Sequence, residues 1–246
     1  MERPIDAYIP FLFVDASYFK VRDGVRYVSK ALFIVAGVRT DGYREIFTFS
    51  VADAEHELTW EGIFSDLKKR RLNKDDLIIS DGHNDIQTAA ETMFSGTSWQ
   101  LYHVHFIRAV LRKILRKYHK EIAEILKECL RDSHRLIEFA VQLDERGFSR
   151  AADTIHRFNH GLMNYRPFPP EYWKKIRTTN LLERVNKELK RRNRKIGAFP
   201  NDASLLRLAG LILIDINEEW ITGYRYLSVK SEMISLETVA AVFTAL

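Results

Sequence analysis

A single cysteine, Cys129, stands in the 246 residues, which excludes an internal disulfide. It lies in Ile125-Leu-Lys-Glu-Cys129-Leu130, the setting of a buried, inert thiol. His103 and His105 flank Val104, and His83 follows Asp81, but with Cys129 far away the ligands for a zinc site are too few. Proline is scarce too: half of the six residues fall in Arg166-Pro167-Phe-Pro169-Pro170, where they break a helical pattern. The longest late apolar run, Leu208-Ala-Gly-Leu-Ile-Leu-Ile-Asp215, is far short of the roughly 20 residues a membrane span needs. The opening Met-Glu-Arg-Pro has no apolar signal-like stretch, so the expectation is a soluble, cytoplasmic protein with no membrane partner. There is no internal repeat, no low-complexity tract and no long segment depleted enough in apolar residues to predict disorder.

What is present is core and positive charge. Hydrophobic residues make up 46% of the chain, enough for one large or two smaller domains. A net charge of +5 suits a polyanionic partner, though equally basic proteins bind no nucleic acid.

Three acids carry the most chemical information. Asp15 ends the apolar run Tyr8-Ile-Pro-Phe-Leu-Phe-Val-Asp15, and Asp81 ends Asp76-Leu-Ile-Ile-Ser-Asp81, just before Gly82. Glu183 lies in the first turn of a predicted helix, in Asn180-Leu-Leu-Glu183-Arg184-Val-Asn186. Two carboxylates at adjacent strand ends and one from a helix form a cage for divalent metal suited to phosphodiester chemistry. Magnesium, with manganese as a substitute, fits because it takes few carboxylates and keeps positions for water and phosphate oxygens. Each acid also has a plainer reading. Asp is common where strands give way to loops, and Asn180-Leu-Leu-Glu183 matches a capping box.

The order of elements brings the two aspartates together. Strands are predicted at 8–20, 26–38 and 43–51, with turns at Arg22-Asp23-Gly24 and Thr40-Asp41-Gly42. A helix with apolar Leu58, Ile63, Phe64 and Leu67 follows, then the strand to Asp81, a helix near 84–94 and a short strand near 99–104. This is an α/β fold with the layout of a ribonuclease-H-like mixed sheet and flanking helices. Residues 105–160 read as helical throughout, with stripes Ile107, Val110, Leu111, Ile114, Leu115 and Leu136, Phe139, Ala140, Leu143. The predicted division is a first core part at 1–105, an all-helical insertion at 106–170, and a final core part with C-terminal helices at 171–246.

Basic residues gather after Glu183: Arg184, Lys187, Lys190, Arg191, Arg192, Arg194 and Lys195. They read as contacts to a DNA backbone, or as a solvated face. Arg108, Arg112, Lys113, Arg116, Lys117 and Lys120 form a second stretch open to the same two readings. Trp60, Trp99, Trp173 and Trp220 are read as core rather than as base-stacking platforms.

These stretches resemble a known family. Val14-Asp15-Ala16 with Tyr18, Gly37-Val38 with Asp41-Gly42, Ile79-Ser80-Asp81-Gly82-His83, Trp99-Gln100, His105-Phe106, Thr178-Thr179-Asn180-Leu-Leu-Glu183-Arg184-Val-Asn186 and Gly197-Ala-Phe199-Pro200-Asn201 match the mutator-type transposases typified by insertion sequence IS256. The resemblance covers about residues 8–222. It implies an Asp-Asp-Glu transposase that cleaves element ends and joins them to target DNA as a homo-oligomer, associated with the nucleoid. Asp15, Asp81 and Glu183 fall on the family's catalytic positions, with His83, His105 and Asn180 as active-site support. The chain departs from the pattern where Tyr102 replaces the cysteine of Trp-Gln-x-Cys-x-x-His, and where Ala109 follows Arg108 in place of the family's Arg-Asn. It also begins almost at the first catalytic strand, where the family carries an end-binding region. That start predicts an isolated catalytic domain, a truncated copy, or a partner polypeptide supplying the missing part. A ribonuclease-H-like nuclease or resolvase without strand transfer, and an inactive transposase that only binds DNA, are the alternatives.

Overall fold

The computed structural model describes residues 3–5, 7–72, 76–178 and 180–227. The tail 228–246, assigned above to the final core part, lies outside the described residues, as do Thr179 and the side chain of Asn180.

Five strands form one sheet: β1 Phe11–Asp23, β2 Arg26–Val38, β3 Arg44–Ala52, β4 Leu77–Ser80 and β5 Ser98–Leu101. Their order is β3-β2-β1-β4-β5. The first three make an antiparallel meander, whereas β4 joins β1, and β5 joins β4, in parallel. Helices α1 Glu57–Lys69 and α2 Asn84–Met93 alternate with the last strands. Every regular element from His103 to Ile176 is helical: α3 His103–Leu111, α4 His119–Cys129, α5 Ser133–Glu145, α6 Ser149–Phe158, α7 Pro170–Ile176 and two short 3-10 turns. The long helices α8 Asn180–Ile196 and α9 Asp202–Thr222 follow. This mixed sheet with flanking helices is consistent with a ribonuclease-H-like layout.

β1 is apolar without interruption at its start because both its faces are covered. Leu12 and Val14 join a core with Phe33, Trp60, Phe64 and Ile86, which continues into the helical region through Phe106, Leu136 and Ile155. Phe11 and Phe13 join the opposite core with Ile34, Leu181, Leu182, Val185, Leu189 and Leu213. The sheet thus separates α1 and α2 on one side from α8 and α9 on the other. Trp60, Trp99 and Trp220 are buried in these cores, as is the free thiol of Cys129.

Several boundaries differ from the sequence reading. β1 starts at Phe11 rather than Tyr8, because Pro10 has no N–H for the ladder; its carbonyl instead accepts from Asp76 and Leu77, both at 3.1 Å. β5 ends at Leu101, since Tyr102 (φ −60°) turns the chain into α3 and buries His103 in a helix instead of a strand. Leu115, predicted in an apolar stripe, is 60% exposed: α3 has ended by then and the chain is turning.

Gly42, in the Asp-Gly turn, has φ +85°, as such a turn demands. Gly37 is needed for space. A Cβ there would lie 2.6 Å from both Ile9 Cγ2 and Phe47 Cε2. Gly37→Ala is expected to lower stability by about 1–3 kcal/mol through overpacking, read from chemical denaturation; an unchanged midpoint would contradict this packing.

Candidate active site

Strand register brings the aspartates together. β1 and β4 pair as Phe11↔Leu77, Leu12↔Ile78 and Phe13↔Ile79. Two residues past the last β1–β4 pair, Asp15 comes level with Asp81; Asp15 does not end its strand as the sequence suggested, because β1 runs on to Asp23 in its pairing with β2, where Asp15 lies opposite Ile34. β4 has ended at Ser80, whose Oγ accepts from Trp99 Nε1 at 2.8 Å. Asp81 then closes a turn, its Oδ1 accepting from the His83 amide at 3.2 Å, and α2 begins. Gly82 lets this turn lie close to α6, because a Cβ there would come within 2.9 Å of the Phe158 ring.

Helix α8 supplies the third acid and is tied to β1 at two points. Leu182, Val185 and Leu189 bury its apolar stripe, and Glu183 stands on its exposed side. One turn after Glu183, Asn186 Nδ2 donates to Asp15 Oδ2 at 2.5 Å. Beyond the helix, the chain returns to β1: Phe199 N–H donates to the Lys20 carbonyl and Arg22 N–H to the Phe199 carbonyl, both at 2.8 Å.

The electrostatics record the convergence. Burial, then Asp81, then Glu55 push the Asp15 carboxyl up, against the Ala16 amide and Lys190, so that it titrates at about 7. Burial lowers the His105 pKa, Asp81 and Glu183 oppose that effect, and Arg108 and Arg112 reinforce it. His105 therefore lies within electrostatic reach of both acids. Its ring is 5.7 Å from that of Tyr102, the cysteine replacement, which is 1% exposed with its hydroxyl unpartnered. His83 lies at the rim, Nδ1 3.9 Å from Asp85 Oδ2 and 4.0 Å from Glu55 Oε1.

Among the described residues no three His, Cys, Asp or Glu side chains converge as a ready-made metal cluster. Asp15 and Asp81 nonetheless suit a divalent cation. They are hard oxygen donors whose mutual repulsion a cation relieves, and the buried Asn186 Oδ1 beside them has no hydrogen-bond partner. Glu183 reaches the same neighbourhood from α8.

The basic residues divide into two groups. Arg191 and Arg192 both bind Glu188, at 2.7 and 3.0 Å, and Arg184 lies 3.6 Å from Glu219. Lys187, Lys190, Arg194 and Lys195 are exposed and make no ion pair among the described residues, and the charge of Lys190 reaches Asp15. Sequence reasoning missed two residues. Asn186 stood inside a quoted motif without a role, and Glu55 stands in a charged loop that no pattern marks.

Comparison with known proteins identifies the family. The family model described as "Transposase, Mutator family" matches residues 1–223. The chain belongs to the Mutator family of transposases. It is 34% identical over 225 residues to the transposase for insertion sequence element IS256 in transposon Tn4001 of Staphylococcus aureus, across 88% of this chain and 57% of that relative. It is 30% identical over 235 residues to the transposase for insertion sequence element IS1081 of Mycobacterium tuberculosis, across 93% and 56%. With the transposase for element ISRM5 of Rhizobium meliloti the figures are 29% over 233 residues, 92% and 58%. The chain thus spans a little over half the length of these curated relatives.

The Asp15 environment predicts a pH dependence. A carboxyl whose folded pKa is raised to about 7 from an ordinary 3.8 favours the neutral form in the folded state. That contribution is complete below the unfolded pKa and is lost as pH rises through 7. Asp15→Asn, neutral throughout, is therefore expected to match the wild type near pH 4 and to exceed it by roughly 4 kcal/mol at pH 8. Denaturation in the presence of a chelator measures this; a difference independent of pH would contradict the buried, repelled carboxyl.

Proposed function

We propose that this chain is the catalytic region of an Asp-Asp-Glu transposase, with a ribonuclease-H-like core interrupted by the helical region before α8. The observation that supports it best is the β1–β4 register, which brings Asp15 level with Asp81 while Asn186 bonds Asp15 one turn from Glu183. Magnesium or manganese, when bound, would supply activation of water and neutralisation of charge on the phosphate. Asp15 on β1 and Asp81 just past β4 would hold it, with Glu183 from the helix. Asn186 fixes the rotamer of Asp15, so the donor set is oriented before DNA arrives.

DNA approaches along α8. Lys187, Lys190, Arg194 and Lys195 offer unpaired charge to successive phosphates. Arg184, Arg191 and Arg192 exchange a carboxylate for a phosphate when the backbone arrives. Arg108 and Arg112, whose charge reaches His105, extend this basic surface onto α3 and favour its DNA-facing reading. Hydrolysis at an element end releases a 3′-hydroxyl. That hydroxyl attacks a target phosphodiester, one P–O bond forming as another breaks, without a covalent protein intermediate. Because two ends must be paired, the working form is a homo-oligomer on DNA, at the nucleoid in the cytoplasm.

The test is nicking of supercoiled plasmid by purified protein with manganese or magnesium. Asp81→Asn is expected to lower the rate by at least about 100-fold with a melting temperature no lower than the wild type's; nicking at the wild-type rate would overturn the assignment. Joining of a pre-cut end to a second DNA separates a transposase from a nuclease that only cleaves.

A further inference from the structure

The β1–β2 hairpin outruns the sheet that carries the acids. Pairing of β1 with β4 stops at Phe13↔Ile79, and pairing of β2 with β3 stops at Ala31↔Ala52. Beyond these points the two strands pair with each other as far as Asp23↔Arg26. They form a two-stranded arm that leaves the sheet a few residues past Asp15 and turns at Gly24, φ +59°. A lone hairpin is marginal in water, and this one is braced on one face only. Phe19 and Val21 are buried there, the Phe19 ring edge-on to that of Phe199 at 6.3 Å, and Lys30 binds Asp53 and Asp202 at the base.

The other face is bare. Alternation puts Tyr18, Lys20 and Arg22 on it from β1, with Tyr27 and Ser29 opposite Arg22 and Lys20 on β2, and all five are exposed. No acidic residue of either strand shares this face. Tyr18 donates its hydroxyl to Glu55 at 3.4 Å. Lys20 and Arg22 make no ion pair among the described residues, Arg22 Nε donating only to the Gly24 carbonyl at 2.8 Å. Tyr27 is 66% exposed, and Val25 at the turn is 92% exposed, so the tip stands in solvent.

The arm and α8 run the same way from the acids. Asn186 bonds Asp15, and later in the chain Phe199 pairs with Lys20 and Arg22. Lys190, Arg194 and Lys195 lie between these two tethers. The exposed cations of α8 and those of the arm are therefore on the same side of Asp15.

We propose that the β1–β2 arm is a second DNA contact, its bare face receiving phosphates of the duplex to one side of the cleavage position. This rests on the DNA-cleaving reading above. Lys20 and Arg22 meet phosphates by charge, and the Tyr27 hydroxyl donates to a phosphate or sugar oxygen. At about 3.4 Å per strand residue, Lys20 and Arg22 stand roughly 17 and 24 Å from Asp15, a span of roughly five to seven base pairs of duplex. Contacts of this kind add affinity for duplex of any sequence.

The experiment is anisotropy of a fluorescent duplex of about 30 base pairs, with chelator present so that no cleavage intervenes, at increasing salt. The proteins are wild type, Lys20→Gln/Arg22→Gln on the arm, Lys190→Gln/Arg194→Gln on α8, and Lys127→Gln/Arg131→Gln as a control with the same loss of charge elsewhere. The arm variant is expected to bind about 10-fold or more weakly at low salt, and its slope of log affinity against log salt to be shallower by about 2. The control is expected to keep the wild-type slope, and the arm variant its melting temperature, because both substituted side chains are exposed. Wild-type affinity and slope in the arm variant, with loss in the α8 variant, would overturn the arm's role and leave the α8 interface standing. An equal loss in the control would overturn it too, since net charge alone then accounts for the effect. No binding by the wild type would overturn the DNA interface, and the inference with it. Sedimentation of the same proteins tests a protein partner: a wild-type dimer that the arm variant turns into a monomer would assign the face to a second copy and overturn the proposal.

Discussion

Everything at this site depends on two carboxylates held side by side at the point where β1 and β4 part. Asp81 stands just past the end of β4, where the backbone turns away, while Asp15 stands within β1, still paired with β2, on the edge that β4 leaves open. Burial first, and then the repulsion of Asp81, leave Asp15 titrating at about 7. Such a site favours positive charge, which the proposed divalent metal would supply. The strands supply precision: a register fixed by hydrogen bonds and by alternation between two cores cannot slip by one residue without exchanging the buried faces.

Helix α8 adds the third acid under the same constraint. Its apolar stripe alone would allow some sliding along the sheet. The Asn186–Asp15 hydrogen bond and the Phe199 pairing with β1 remove that freedom at either end. The return through Gly197, at φ +77°, makes the second tether possible. The motif around Phe199, which carries no reactive group, therefore bears on the candidate site through position. The helical region bears on it too, since Phe158 packs against Gly82 beside Asp81 and α3 carries His105.

Much of this was legible in the sequence, because it was written in local pattern. Alternating and continuous apolar runs marked the strands, the Asp-Gly turns marked their ends, and the order of elements brought Asp15 to Asp81. The stripe Leu136, Phe139, Ala140 and Leu143 is buried as its spacing indicated. What was not legible depends on contacts distant in sequence: Asn186 meets Asp15 across 171 residues, and Glu55 is aimed by Tyr18, 37 residues away, as well as by nearby Trp60. The pairing of Glu188 with Arg191 and Arg192 was readable in principle, since those spacings share a helix face. It splits what looked like one basic run into paired and unpaired charges.

The most direct test of the central claim is anomalous diffraction from crystals of this protein grown with manganese. The account predicts a peak bonded at about 2 Å to carboxylate oxygens of both Asp15 and Asp81. An ordered protein with manganese bound elsewhere, and neither aspartate coordinating it, would contradict the claim that the parting of β1 and β4 builds the active site.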